Sequence, residues 1–294
     1  MKKLLHTRKN EHRHWVGDGF PVRSIFTYND LAKEISPFLL MDYAGPATFP
    51  PTDQRRGVGE HPHRGFETVT IVYAGEVEHR DSSGGGGVIT PGDVQWMTAA
   101  SGLVHEEFHG REFAKRGGEF EMVQLWVNLP KKDKMTKPRY QGVKNEIIPT
   151  VTLPDGAGTL RVIAGDYQDA KGPAQTFTPI NMWDLRLKAG HTASLKVPEG
   201  HTTTAFVLSG QIEATSGERI GEAELAVFER FGEELSFKVL EDTKLLFLGG
   251  EPIDEPIVGY GPFVMNSIGE IKQAFIDFEE GRMGQIGTIT GSEN

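Results

Sequence analysis

The stretch GEHPHRGFETVTI (59–71) sets two of the chain's ten histidines one residue apart at the entrance to a β-branched run. In a strand, side chains two apart share a face, so His61 and His63 project together. A second pair follows the glycine turn of SGLVHEEFHG (101–110): His105 and Glu107, again two apart. Two such pairs carried by one barrel converge on its interior and supply three imidazoles and a carboxylate. That donor set suits Fe(II), and also Mn, Ni, Cu, Co or Zn. Parity leaves the carboxylate open. Glu67 falls on the face of His63 if the strand stays regular, Glu107 points with His105, and Glu106 points away. An H-x-H pair alone is weak evidence, because His12 and His14 form another on what reads as a solvated arm. His79 and His109 read as supporting or exposed residues rather than ligands.

The elements that must position these residues are short strands. Glycine (36) and proline (17) punctuate runs of Val, Ile, Leu, Thr and Phe. Residues 67–73, 120–128, 183–187, 203–208, 224–230 and 243–248 read as strands, at a spacing that suits a barrel or sandwich. The two halves look alike. IVYAG (71–75) matches FVLSG (206–210), EVEHR matches QIEAT just after, and ITPGDVQWM (89–97) has a looser counterpart in IGEAELAVF (220–228). This predicts a tandem duplication. PKKDKMTKPR (130–139) is the best candidate linker, and SSGGGG (82–87) reads as a hairpin loop. A helix is expected late in the chain. Ser267 and Glu270 form a capping box, and Ile271, Ala274, Phe275 and Phe278 form an apolar stripe that ends at Gly281.

Composition narrows the function. The 294 residues leave room for two domains. The absence of cysteine excludes a disulfide scaffold, thiolate zinc and a cysteine nucleophile. A net charge of −10 argues against direct nucleic-acid binding, which needs a basic footprint. No apolar run approaches the ~18 residues of a membrane span, and the basic start MKKLLHTRKNEHRHW lacks the apolar stretch of a secretory signal. A cytoplasmic protein that does not engage membranes is expected.

HPHRGFETV (61–69), PGDVQWMTA (91–99) and GLVHEE (102–107) resemble the metal-binding motif of the pirin family. SPFLLMDYAGP (36–46), GPFVMNS (261–267) and EEGRMG (279–284) resemble its flanking segments, so the likeness runs over nearly the whole chain. The resemblance implies an all-β fold of two tandem cupin (jelly-roll) β-barrels with a C-terminal helix. The N-terminal, metal-binding barrel is expected over 1–136. The C-terminal barrel, with the helix, is expected over 146–294. It keeps only His191 and His201, without an H-x-H pair, and is expected to bind no metal.

The resemblance also implies one mononuclear metal, most often iron, on His61, His63, His105 and Glu107. Glu67, the ligand in the wider cupin pattern, becomes a supporting residue. Bacterial pirins resemble quercetin 2,3-dioxygenases in activity. That implies a flavonol and O₂ as reactants, opening of the heterocycle and loss of CO. Glu107 is then the acceptor of the substrate hydroxyl proton. Phe66, Trp96 and Met97 are expected either to wall an aromatic pocket or to pack the barrel interior, and Arg64 to hold a carboxylate or a pocket oxygen or to pack its stem. The competing expectation is a metal-binding, redox-responsive regulator acting through protein contacts, as eukaryotic pirins are described. An acidic surface fits a basic protein partner.

Overall fold

Alternation along the strands sets which face is buried. Thr192–Lys196 reads exposed, buried, exposed, buried, exposed, as a strand with one face on a core should. Phe66–Ala74 lies in the middle of a seven-stranded sheet and is buried along most of its length. The computed structural model describes residues 1–287. Its contacts divide the chain into two units.

In the histidine-bearing unit, a seven-stranded sheet is accompanied by a four-stranded sheet in the order Gly57–His63, Leu103–His109, Val77–Asp81, Gly86–Ile89. The second unit repeats the plan. Its four-stranded sheet runs Thr192–Lys196, Glu234–Val239, Ile212–Ala214, Arg219–Ile220, which is the same order of first, fourth, second and third strand. Phe66–Ala74 and Thr202–Ser209, the strands bearing IVYAG and FVLSG, occupy equivalent places in the two large sheets. The duplication legible in the sequence is therefore a duplication of cupin-type sheets.

The ends of the chain are exchanged relative to a split into 1–136 and 146–294. Met1–Arg13 groups with the second unit, where Leu4–Lys9 pairs with Glu224–Phe228 and forms the edge of the seven-stranded sheet. The residues from Glu255 onward, C-terminal helix included, group with the histidine-bearing unit. A free sheet edge recruits whichever strand fits it, and nearness in sequence does not decide the partner. The division also falls inside the strands Phe20–Phe26 and Phe38–Phe49.

The second unit is filled by aliphatic and aromatic side chains, among them Leu195, Val207, Leu235, Phe237 and Phe247. The histidine-bearing unit has an aromatic cluster of Phe20, Phe49, Phe113 and Phe120. His109 belongs to that cluster. Its ring stacks on Phe120 at 4.7 Å and its Nε2–H donates to the Gly19 carbonyl. The segment 130–139 is not a free linker. Lys134 is buried, and its ammonium donates to the Gly65 carbonyl, Asn128 Oδ1 and the Val264 carbonyl.

The C-terminal helix, Ile268–Glu279, starts at Ser267, whose hydroxyl accepts from the Glu270 N–H as the capping box predicts. It buries Ile271 and Ala274 against Val104, Phe263 and Met265. No helix among the described residues is long and apolar enough to cross a membrane.

Candidate metal centre

Two strand pairings and one bulge assemble the site. Gly57–His63 pairs antiparallel with Leu103–His109, so His61 stands opposite His105. Val77–Asp81 pairs with the other edge of Leu103–His109, which sets Asp81 opposite His105 and His79 opposite Glu107. A bulge between His105 and Glu107 shifts the register against the first of these strands, and Glu107 faces Val58. The ligand atoms of His61, His63 and His105 lie within 4.8 Å of one another. His79, His105 and Glu107 form a second group of the same tightness, sharing His105. His105 thus belongs to both groups, one with His61 and His63 and the other with His79 and Glu107.

Each imidazole is held by its far nitrogen. His61 Nδ1 meets the Gly59 carbonyl at 2.8 Å, and His63 Nδ1 meets the Pro262 carbonyl at 3.3 Å. A carbonyl only accepts, so both rings carry a hydrogen on Nδ1, and Nε2 is the nitrogen left for a metal. His105 Nε2 is buried without a hydrogen-bond partner. An orphaned nitrogen at the centre of a histidine cluster fits a metal donor. Burial, reinforced by the neighbouring imidazoles, holds His63 and His105 well below the usual histidine range. Both are therefore neutral, the form that coordinates. The donor set of three imidazoles and a carboxylate fits a divalent first-row metal.

Glu107 is fixed by three donors. Gln95 Nε2 (3.1 Å) and Thr70 Oγ1 (3.5 Å) reach Oε1, and Gln124 Nε2 reaches Oε2 at 3.1 Å. The Tyr140 hydroxyl in turn donates to Gln95 Oε1. His63, His105 and Glu107 are buried, and His61 is the partly exposed member.

Several expected site residues stand elsewhere. Glu67 is turned to the opposite face of its strand from Thr70, the residue that reaches Glu107. It pairs with Thr98 and accepts from that hydroxyl at 2.7 Å. The expected parity fails because the chain bends at Gly65, at φ 92°, and His63 and Phe66 belong to different strands. Trp96 shares the face of Glu67, opposite Val69, and is turned away from the histidines. Arg64 does hold a carboxylate, the one on the C-terminal helix. It donates to Asp277 Oδ2 at 2.7 Å and to the Ser101 carbonyl at 2.7 Å. Glu106 pairs with Arg80 and Arg55, away from Glu107. Met97 lies on the inner face and packs with Ala99, Leu103 and Tyr140. Phe66 does reach the site, with its ring 5.1 Å from His63.

Sequence reasoning passed over Trp126, which stacks on Phe66 at 4.2 Å and lies 5.1 Å from His63. It also passed over Gln95, Gln124, Tyr140 and the His79–Asp81 pair. The signal for the glutamines was present: each is a lone polar residue inside an apolar strand, VQWM and VQLW. In the second unit, His201 lines an open cleft with Asn181, Lys171 and Lys196. Among the described residues it joins no group of metal-binding side chains.

Repeated cupin-type sheets, with histidines and a glutamate gathered in one unit, define a bicupin. The family models agree: Pirin matches residues 19–127 and the Pirin C-terminal cupin domain matches residues 182–284. A Pseudomonas aeruginosa protein provisionally named a quercetin 2,3-dioxygenase is 61% identical over 96% of this chain and 98% of its own. Mouse pirin is 37% identical over 88% of this chain and 86% of its own. The crystal structure of quercetin 2,3-dioxygenase from Acinetobacter baumannii superposes with a TM-score of 0.95 at 55% identity, covering 98% of this chain and all of that one. The chain belongs to the pirin family.

Proposed function

We propose that the protein is a quercetin 2,3-dioxygenase-type enzyme that opens a flavonol with O₂ and releases CO, using one Fe(II) held by His61, His63, His105 and Glu107. The observation that carries this reading is the convergence of three Nε2-directed imidazoles beside a buried carboxylate. A divalent metal there supplies Lewis acidity toward a phenolic oxygen and a redox partner for O₂. Glu107 accepts the proton of the substrate hydroxyl, with Gln95, Gln124 and Thr70 holding its two oxygens in place. Phe66 and Trp126 offer a stacked aromatic wall beside His63 for the flat rings. The relatives named for quercetin 2,3-dioxygenase support the substrate class. The test is anaerobic reconstitution with Fe(II), then quercetin and O₂, following flavonol absorbance and CO. Metal uptake without any flavonol turnover would defeat the enzyme reading.

The second reading is a metal-binding regulator acting through protein contacts. It is favoured by the burial of His63, His105 and Glu107, which leaves His61 as the exposed member, and by the likeness to mouse pirin. Full metal occupancy combined with absent turnover is the result it expects.

A further inference from the structure

We propose that Asp81 and His79 are positioning residues that fix the proton of His105 on Nδ1 and so present its Nε2 to the metal. The metal consequence rests on the reading above, whereas the proton arrangement stands on the following chain of contacts. Asp81 Oδ1 is saturated by the hairpin loop: it accepts from the Ser83 N–H at 2.8 Å, the Ser83 hydroxyl at 2.6 Å and the Gly85 N–H at 3.0 Å. Its other oxygen faces His79 Nε2 at 3.1 Å, and both side chains are fully buried. Burial raises the Asp81 carboxyl, but the hydrogen bonds from His79, Ser83 and Gly85 outweigh it and hold the group below its ordinary range. An ionised carboxylate only accepts, so the His79 Nε2 carries a hydrogen. A second N–H on His79 would point at His105 across 3.3 Å inside a fully buried cluster. With one proton, His79 Nδ1 is a lone pair. It faces His105 Nδ1 at 3.3 Å, and one of two facing nitrogens must donate. His105 therefore donates from Nδ1, and its Nε2 is the bare, partnerless atom at the centre of the cluster. Tyr140, stacked on His79 at 5.2 Å and 13°, holds the ring plane. The same device recurs with simpler parts at His61 and His63, where backbone carbonyls take the Nδ1 proton. His105 has an imidazole in that place, and an imidazole accepts only if its own tautomer is fixed from behind.

This assigns a role to the glycine-rich hairpin SSGGGG: its backbone donors decide which oxygen of Asp81 is left for His79. It also predicts the effect of an isosteric change. In Asp81→Asn, the amide oxygen must occupy the Oδ1 site, where three donors converge, so the amide nitrogen faces His79 and donates. The chain then reverses: His79 carries its hydrogen on Nδ1, and His105 carries its own on Nε2, over the donor atom.

The experiment is long-range ¹H–¹⁵N correlation on histidine-labelled, metal-free protein, joined to Fe(II) affinity by chelator competition and to a thermal melt as a check on folding. In the wild type, His79 should be protonated at Nε2 and His105 at Nδ1. In Asp81→Asn both should invert, and Fe(II) affinity should fall by about 10–100-fold with the fold retained. A wild-type His105 protonated at Nε2 would overturn the proposal. So would an Asp81→Asn protein with unchanged tautomers and unchanged affinity. If that variant does not fold, the wild-type tautomers alone decide. A wild type that takes up no iron defeats the proposed function, while the tautomer measurement still judges this inference separately.

Discussion

Glu107 and Glu67 are both buried carboxylates of one unit, and their surroundings assign them opposite tasks. Glu107 is surrounded by amide and hydroxyl donors next to histidines. Replacing it with Gln keeps the volume but removes the charge and the basicity. Glu107→Gln should lower flavonol turnover by about 10²–10⁴-fold. Glu106→Gln, which only loses its arginine partners, should leave turnover close to wild type. Metal content and turnover measured side by side check both. Glu67 is pushed up by burial from 4.5 to about 7, and the Thr98 hydroxyl offsets that only in part. The folded state thus holds its proton more tightly than the unfolded chain. The stability this contributes is fully present below the unfolded value and is lost as pH rises through about 7. The loss amounts to roughly 3 kcal/mol. Glu67→Gln stays neutral and still accepts from Thr98, so it should escape that loss. Denaturant melts at pH 5 and pH 8 should show the wild type weakening relative to the variant by about that amount. Equal changes in the two proteins would show that Glu67 finds water or a cation when ionised.

At the scale of elements, what the sequence revealed depended on whether a rule had to cross a turn. His61 with His63, and His105 with Glu107, each lie on one strand, where alternation applies. Glu67 lies beyond the bend at Gly65, where counting by twos has no meaning. Which face Trp96 takes was not legible, because nothing in GDVQWM tells which face is inner until the pairing with Phe66–Ala74 is known. The partners of Arg64 were out of reach for another reason: Asp277 lies 213 residues away. That pair joins the turn after the histidines to the C-terminal helix, and Gln273 and Arg282 also bind Asp277. Asp277→Ala would strand a guanidinium whose side chain is only 5% exposed. Because Asp277 itself is nearer solvent, the expected loss is on the order of 3 kcal/mol, at the low end for breaking a buried pair. Thermal and denaturant melts measure it, and a change under ~1 kcal/mol would mean that water replaces the carboxylate.

At the scale of the molecule, the duplication was legible because both copies kept strand endings such as IVYAG and FVLSG. The exchange of chain ends was not, since it depends on which sheet edge lies open after folding. The copies have diverged in their interiors. Leu235 and Phe237 of the second unit hold the places of His105 and Glu107 in the matching strand order, and they belong to an apolar core. One equivalent of metal per chain is expected from elemental analysis of protein loaded with excess Fe(II), and two equivalents would contradict this division of labour. Phe237→Ala should cost about 3–5 kcal/mol of stability without changing that stoichiometry.

The carbonyl that holds His63 belongs to Pro262, 199 residues later in the chain. Lys134 reaches Val264, and Arg64 reaches Asp277, in the same late segment. On a ribosome, His61, His63, His105 and Glu107 all emerge long before these supports exist. A nascent chain therefore displays the donors without the scaffold that aims them, and the centre is completed only when the last part of the chain has been made. A protease that trims the chain from its C-terminus would undo the centre in the reverse order, loosening the histidine turn before it touched any strand that carries a ligand.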